Sequence, residues 1–403
     1  MKLIVQKYGG TSVADASAIK KAASKVIEAK EEGNSVVVVV SAMGSRTDDL
    51  INLAVELTDN PEPREMDMLL STGERETMSL MAMYLKNQGY DAISLTGSQA
   101  GIITTSKHGQ AEIEEITGDR VREGLDKGQV VIVAGFQGFN RDTREITTLG
   151  RGGSDATAVA LAASLDADVC EIYTDVRGVF TSDPRIVNKA KLIKEITYDE
   201  MLEMSSSGAK VLMARSVEFG RRYNVPIKVS STFLDEEGTI VKDKVMEQAI
   251  ISGVTHNDEE IKFTLFGVPD QPGIAAKVFK PLSEVGVNVD MIVQNVSKEN
   301  KSDISFTAPY EQMTSVEETL APVVTKLGAE GLDKDEEIAR VSLIGAGMKS
   351  ESGIASKMFE TLGEEEININ MISTSPIRIS CVIDKQNVEK ALKVLHKVFI
   401  ETS

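Results

Sequence analysis

The chain has no tryptophan, two cysteines and three histidines among its 403 residues. Each scarcity removes a class of chemistry. Cys170 and Cys381 lie in separate strand-like apolar runs, with no CxxC and no metal-ligand spacing. They read as buried reduced thiols, and no disulfide framework or zinc site is expected. His108, His256 and His396 are scattered, and none has a sequence neighbour suggesting a relay. A Ser-His-Asp hydrolase is therefore not indicated. Long apolar runs are also missing. The valine run at 36–40 is far too short to span a bilayer, and residues 3–5 are too short for a signal-peptide core. A cytoplasmic protein is expected. Positive charge is in deficit, with 44 basic against 62 acidic residues and a net charge of −18. That argues against nucleic acid or an anionic membrane as partner. Any site for an anionic substrate must then rely on locally placed cations.

Glycine, by contrast, is concentrated where it can act. The stretch 147–157, TTLGRGGSDAT, holds three glycines within four residues. Without Cβ atoms a tight turn lets backbone N–H groups approach an oxyanion closely. Ser154 or Asp155 is expected to cap a helix over 156–165, whose N-terminus suits phosphate or carboxylate. Arg151 adds a fork for a carboxylate. A plain glycine turn with an N-cap remains the alternative, but two similar loops occur elsewhere.

The first of these follows a buried strand at 2–6 and reads Lys7-Tyr8-Gly9-Gly10-Thr11-Ser12, ahead of a helix over 15–32. Strand, glycine loop and helix aim amides at a phosphate, although the spacing is neither GxxxxGK[ST] nor GxGxxG. Lys7 either reaches the same phosphates or is an exposed strand-end lysine. The second follows the valine strand as SAMGS at 41–45, then Thr47 and another helix. Ligands sit at such strand ends in open α/β sheets. A helical pattern over 64–88 is expected to break at Ser71-Thr72-Gly73-Glu74, since a mid-helix glycine costs on the order of 1 kcal/mol. Glu74 there either binds an ammonium or is a solvated helix glutamate. Further strands are expected at 91–95, 130–134, 169–174 and 225–229, with a hairpin turn at 140–145. Asp175, Asp183 and Arg185, in a long glycine- and proline-marked loop, are candidates for nucleotide contacts. Strands alternating with helices over 1–230 imply a three-layer, mostly parallel α/β domain.

Residues 234–248 read as a linker. Beyond it lies an internal repeat: 272–292 and 352–372 align without gaps at an offset of 80, with 10 of 21 positions identical. Each copy follows a strand and is followed by another strand and a helix, a βαββα unit of about 70 residues. The orphan strand 249–254 is expected to complete the second copy's sheet.

Together these pieces resemble the aspartokinases. The resembling motifs are KYGGTS at 7–12, SAMG at 41–44, STGE at 71–74, TTLGRGGSD at 147–155, TDVRGVFTSDPR at 174–185 and the paired C-terminal modules. Those modules resemble ACT domains, small βαββαβ amino-acid sensors. The likeness spans the whole chain and implies a catalytic domain at 1–233 with ACT-like domains at 261–333 and 338–403. It implies phosphorylation of the β-carboxylate of L-aspartate by ATP with magnesium, the first step towards lysine, threonine and methionine.

By this resemblance Lys7 neutralises charge on the transferring phosphoryl group, and Asp155 orients Lys7 or neighbouring amides. Arg151 clamps the α-carboxylate, and Glu74 holds the ammonium. Ser41, Thr47, Gly152 and Ser154 help position the substrates. Gly9, Gly10, Thr174, Asp175, Phe180, Thr181, Ser182, Asp183, Pro184, Arg185 and Lys210 line the ATP site. Phe180 stands where some relatives are expected to carry tyrosine, so ring stacking survives but a phenol hydrogen bond does not. Magnesium is expected to be held mainly by phosphates and water, with few protein ligands.

In the ACT pair, the loops at 270–273 and 349–353 and the residues that follow, with Gly273, Ile274, Ala275, Ser352 and Gly353, offer amides to an effector's carboxylate, and Asp270, Asp290 and Gln294, with Asn288 beside them, are expected to receive its ammonium. An ordinary exposed strand face is the alternative for Asn288, Asp290 and Gln294. Lysine, with or without threonine, is the expected inhibitor. A homodimer through the ACT domains, or an α2β2 assembly using an internal start at Met246, follows by the same resemblance. Two rivals stand beside this reading. One is a kinase of the same group acting on another acceptor, which a substrate panel distinguishes. The other is a non-catalytic sensor on a kinase-like body.

Overall fold

The computed structural model describes residues 1–150, 152–245, 249–296, 300–349 and 351–402. The chain divides into two compact bodies. The first holds Met1–Val179, Leu192–Ser205 and Lys210–Glu247, and the second holds Phe180–Lys191, Ser206–Ala209 and Gln248–Ser403.

In the first body the order is β1 (Leu3–Tyr8), α1 (Ala16–Glu31), β2 (Ser35–Val40), α2 (Arg46–Leu57), α3 (Pro63–Asn87) and β3 (Ala92–Leu95). Next come β4 (Ile102–Thr104), β5 (Ile113–Ile116), α4 (Asp119–Asp126), β6 (Val130–Ala134), β7 (Gln137–Phe139), β8 (Ile146–Thr148) and α5 (Gly153–Ser164). The body closes with β9 (Val169–Thr174), β10 (Glu195–Thr197), α6 (Tyr198–Ser206), α7 (Ala214–Tyr223), β11 (Ile227–Ser231) and β12 (Thr239–Lys242).

The main sheet has the order β10-β12-β11-β9-β1-β2-β6-β3. Strands β11, β9, β1, β2, β6 and β3 run parallel. A parallel strand covered on both faces reads as continuously apolar, and Val36–Val40 of β2 is indeed fully buried. Alternation along β1 sends Ile4 and Tyr8 into the cluster formed with α1 and α3, while Lys7 turns to the α5 face. Chain order moves outward from β1 in both directions, to β2 on one side and β9 on the other. Its carboxyl end is therefore the switch point where doubly wound sheets bind ligands.

Two expectations fail here. Residues 234–248 are not a plain linker: β12 lies within them, hydrogen-bonded between β10 and β11. The local sequence is polar, but Val241 faces the core and is fully buried. Nor does the helix break at 71–74. Helix α3 runs on, because the missing Cβ of Gly73 lets Ala42 approach; a methyl there would lie 2.7 Å from the Ala42 Cβ. The glycine serves packing across the helix rather than a turn.

The second body contains β13 (Gly253–Asn257), β14 (Glu260–Pro269), α8 (Ile274–Glu284), β15 (Ile292–Val296), β16 (Lys301–Pro309), α9 (Met313–Leu327) and β17 (Gly331–Asp335). It continues with β18 (Ile338–Ile344), α10 (Ile354–Glu364), β19 (Met371–Ser375), β20 (Arg378–Asp384) and α11 (Val388–His396). Its sheets are β15-β16-β14-β17 and β13-β18-β20-β19. The strand ahead of the repeats thus lies in the second module's sheet, antiparallel to β18, at 253–257 rather than 249–254. Among the described residues, Arg340 of β18 is the largest side chain less than 2% exposed, paired with Glu260 at 2.7 Å and with Asp290. Segment 180–191 also belongs to this body, which cuts across the domain boundary expected from sequence. No helix among the described residues is long and apolar enough to cross a membrane.

Candidate active site

Lys7 is the penultimate residue of β1, in register with Val39 on one side and Ile172 on the other. Its Nζ lies 2.5 Å from Asp155 Oδ1, and both side chains are about nine-tenths buried. Asp155 sits in the first turn of α5, where the helix dipole favours a negative charge. Neither Ser154 nor Asp155 caps that helix. Gly152 takes the N-cap position with φ of 72° and no side-chain bond. A side chain at Gly152 is excluded twice, by its left-handed backbone and by Met213, whose Cγ would lie 2.2 Å from the added Cβ. Ser154 is buried inside the first turn, with Oγ 2.9 Å from where a Cβ on Gly135 would sit. Arg151 lies outside the described residues.

The loops after β1 and β2 interlock. Ser41 N donates to Tyr8 O, and Gly44 N donates to Gly10 O at 3.1 Å. A Cβ on Gly10 would lie 3.0 Å from Gly44 O and 3.1 Å from Ala42 O. Both are backbone atoms that cannot rotate away. Gly10→Ala is therefore expected to push the two loops apart by a few tenths of an ångström. It should lower kcat/KM roughly tenfold while the thermal transition stays cooperative, and unchanged steady-state kinetics would contradict this packing.

Glu74, on α3, faces these loops. It is only 3% exposed. Its Oε1 accepts the Ala42 N–H at 3.2 Å, while Oε2 is buried without a hydrogen-bond partner. Burial is the largest influence on its acidity and raises its pKa to about 7, against the opposing pull of the backbone N–H groups. An orphaned buried carboxylate oxygen is costly and invites a cation. Thr47 is half-buried in the first turn of α2.

Sequence reasoning missed the props behind the glycine loop. Asp67 is 1% exposed and accepts from His108 Nδ1 at 2.6 Å, Thr148 Oγ1 at 2.6 Å and Gly109 N at 3.1 Å. Arg215 donates to Leu149 O and Ala111 O, each at 3.0 Å. One signal was available: Asp67 and Glu74 are seven apart on α3, hence on one face. Their partners are remote in sequence and left no local trace.

The expected ATP residues are divided between the bodies. Thr174 ends β9, its hydroxyl donating to Asp175 at 3.0 Å, and Lys210 is exposed in the first body. Phe180 to Arg185 belong to the second. There Ser182 is buried with an unpartnered hydroxyl. Asp183 is gripped by Arg185 Nη2 at 2.7 Å, which lowers the carboxyl's pKa.

In the ACT pair, Gly273 and Gly353 are the equivalent left-handed N-caps of α8 and α10. Ile274 is buried; Asp270, Ala275, Asn288 and Ser352 are exposed. Asp290, expected to stand ready for an effector's ammonium, is engaged by Arg340. The opposite charge it meets belongs to the protein itself. Gln294 donates to Ser302 Oγ at 3.2 Å.

The chain matches the model of the amino acid kinase family over residues 2–231 and that of the ACT domain twice, over 263–324 and 341–399. It is 53% identical to an aspartokinase of Mycolicibacterium smegmatis over 99% of this chain and 96% of that one. The chain belongs to the aspartokinase family. Among solved structures, this aspartokinase resembles aspartokinase III of E. coli in complex with aspartate and ADP, at 27% identity and a TM-score of 0.84, covering 98% of this chain and 99% of that one. It also resembles the same E. coli enzyme in complex with lysine and aspartate, at 26% identity and a TM-score of 0.77, with 99% of each chain covered. Aspartokinase motifs in this chain, KYGGTS and GRGGSD, are thus the ones whose side chains Lys7 and Asp155 meet.

Proposed function

We propose that this enzyme transfers the terminal phosphoryl group of ATP to the β-carboxylate of L-aspartate, giving 4-phospho-L-aspartate. One observation carries the reading: a buried cation, Lys7 on Asp155, and a buried unpartnered carboxylate, Glu74, both border the loops at the carboxyl end of β1 and β2. Phosphoryl transfer asks mainly for placement and charge neutralisation. ATP supplies the phosphoryl group, and magnesium supplies charge neutralisation at its oxygens.

The residues fit that pair of substrates. Gly9 keeps the space beside the ammonium clear for phosphate oxygens, since a Cβ there would sit 3.3 Å from Lys7 Nζ. Among the described residues no group of three His, Cys, Asp or Glu side chains is placed to hold a metal ion. In this reading phosphates and water would supply most of a magnesium ion's ligands. Lys7 neutralises the phosphoryl oxygens, and Asp155 keeps the ammonium aimed. No general base is needed, because a carboxylate nucleophile at pH 7 has no proton to lose. Glu74 receives the substrate ammonium; Arg151, with Ser41, Thr47, Gly152 and Ser154, takes its α-carboxylate side. Thr174, Asp175, the 180–185 segment and Lys210 serve the nucleotide.

We further propose that the ACT pair mediates inhibition by lysine, threonine or both, and that the enzyme assembles as a cytoplasmic homodimer or as α2β2. Met246, the internal start that α2β2 would use, lies outside the described residues. The E. coli relative in complex with lysine supports the effector class. Hydroxamate trapping of aspartyl phosphate, with lysine and threonine titrated singly and together, tests both proposals. Aspartate-dependent trapping is expected, with inhibition at millimolar effector from a coupling of about 1–3 kcal/mol. Trapping with another acceptor instead would overturn the first proposal, and indifference to both amino acids the second.

A further inference from the structure

The segment carrying Phe180 to Arg185 enters from the first body after Val179 and returns to it at Leu192, yet it is folded into the second. Its apolar side chains explain why. Val187 is buried in the core of the second ACT module with Leu392, Leu395 and Phe399, and Ile186 and Ala190 pack against the same cluster. The polar anchor is Thr181, 9% exposed, all of whose hydrogen-bonding groups are used. Its N–H donates to Lys191 O, and its carbonyl accepts from Val254 N of β13. Its Oγ1 accepts from Lys191 N at 2.9 Å and meets His396 Nε2 at 2.9 Å.

His396 is completely buried at the end of α11. Its Nδ1 lies 3.2 Å from Glu401, which also takes Lys189 Nζ at 2.7 Å. A carboxylate only accepts, so Nδ1 carries the proton and Nε2 is the acceptor. The Thr181 hydroxyl, already accepting from Lys191, must donate to it. Burial lowers the His396 pKa despite Glu401, with Lys191 and Lys189 adding to the lowering, which agrees with this neutral tautomer. The network therefore reads in one direction, from the Lys191 N–H through Thr181 to His396.

We propose that His396 is a positioning residue for ATP: it fixes Thr181, and through it the nucleotide segment 180–185. This rests on the reading of residues 180–185 as nucleotide contacts. His396 touches no substrate, so its loss should appear in the KM for ATP. His396→Leu in the full-length enzyme is expected to raise that KM roughly five- to tenfold, the worth of one buried hydrogen bond, with the KM for aspartate within about twofold of normal. Rescue separates this from a general packing effect. His396→Gln can still offer an acceptor to Thr181 and should restore most of the ATP affinity; His396→Asn, which mimics the Nδ1 side, should not. Should His396→Leu fail to fold, Glu401→Ala in the last turn removes the group that sets the tautomer, and a rise of about two- to threefold is expected.

Arg185→Met, within the segment, discriminates the two layers of the argument. A raised KM for ATP in Arg185→Met but not in His396→Leu, or equal rises in both substrates' KM for His396→Leu, overturns the proposal alone. No change in either variant overturns the nucleotide assignment of the segment and the proposal with it.

Discussion

Replacing Lys7 by methionine is expected to lower kcat for aspartyl phosphate formation at least ~100-fold, as for removal of a preorganised charge donor. Methionine keeps the length and most of the volume, so the change isolates the ammonium. The same substitution strands Asp155, 7% exposed, beside an apolar thioether. Breaking a buried pair costs about 3–5 kcal/mol, so a lower melting temperature is also expected. The two effects separate in the double variant. Lys7→Met with Asp155→Asn removes the uncompensated charge and should regain much of the lost stability, yet none of the lost activity. Thermal melts and hydroxamate trapping on the three variants read this out. If Lys7→Met keeps normal turnover, or if the double variant regains it, the assigned chemistry is wrong.

Glu74→Gln is expected to act oppositely on stability and on function. Burial raises the Glu74 pKa from an ordinary 4.5 to about 7. The folded protein therefore holds this proton more tightly than the unfolded chain. Stability through this group falls as pH rises from about 4.5 to about 7, and the cost is fully present above that. The shift corresponds to about 3 kcal/mol at most. Glutamine carries no charge to desolvate, so at pH 8 the unliganded variant should be more stable by about 1–3 kcal/mol. Its KM for aspartate should rise by about 100-fold, because the substrate ammonium then enters a buried site without its counter-charge.

The wild-type enzyme carries a matching signature. Below pH 7 the site is protonated and must release its proton to bind the ammonium. The KM for aspartate should therefore rise towards tenfold per pH unit as pH falls, and level off above about pH 7. The variant should lack that dependence. A Glu74→Gln protein that melts lower than wild type at pH 8, with an unaltered KM for aspartate, would remove Glu74 from the site.

These expectations show how differently two parts of the site could be read. Lys7 and Asp155 lie in short motifs whose glycines have local backbone reasons: a left-handed cap at Gly152 and a close approach at Gly10. Such reasons are written in neighbouring residues, so the motifs were legible. Read from its own neighbours Glu74 was one charge on a helix, with its ammonium role implied only by the resemblance at 71–74, and Gly73 looked like a break. Its role became clear once Ala42, remote in sequence, was found pressed against it. Asp67 had only its shared helix face with Glu74 as a local signature, and Arg215 had none, because both hold backbone groups of other segments. Asp290 looked available and proved to be engaged by Arg340, fifty residues later.

By itself the sequence determined the alternation of strands and helices, the repeat at an offset of 80, and the glycine loops, because periodicity and backbone freedom are properties of adjacent residues. Tertiary structure alone decided which body each segment joined. The polar stretch around β12 entered the main sheet, and residues 180–191 left the domain that encodes them for the core around His396. The reason is that burial is a property of the finished packing. A segment goes where its few apolar side chains and its backbone hydrogen bonds are all satisfied, and no window of sequence contains that information.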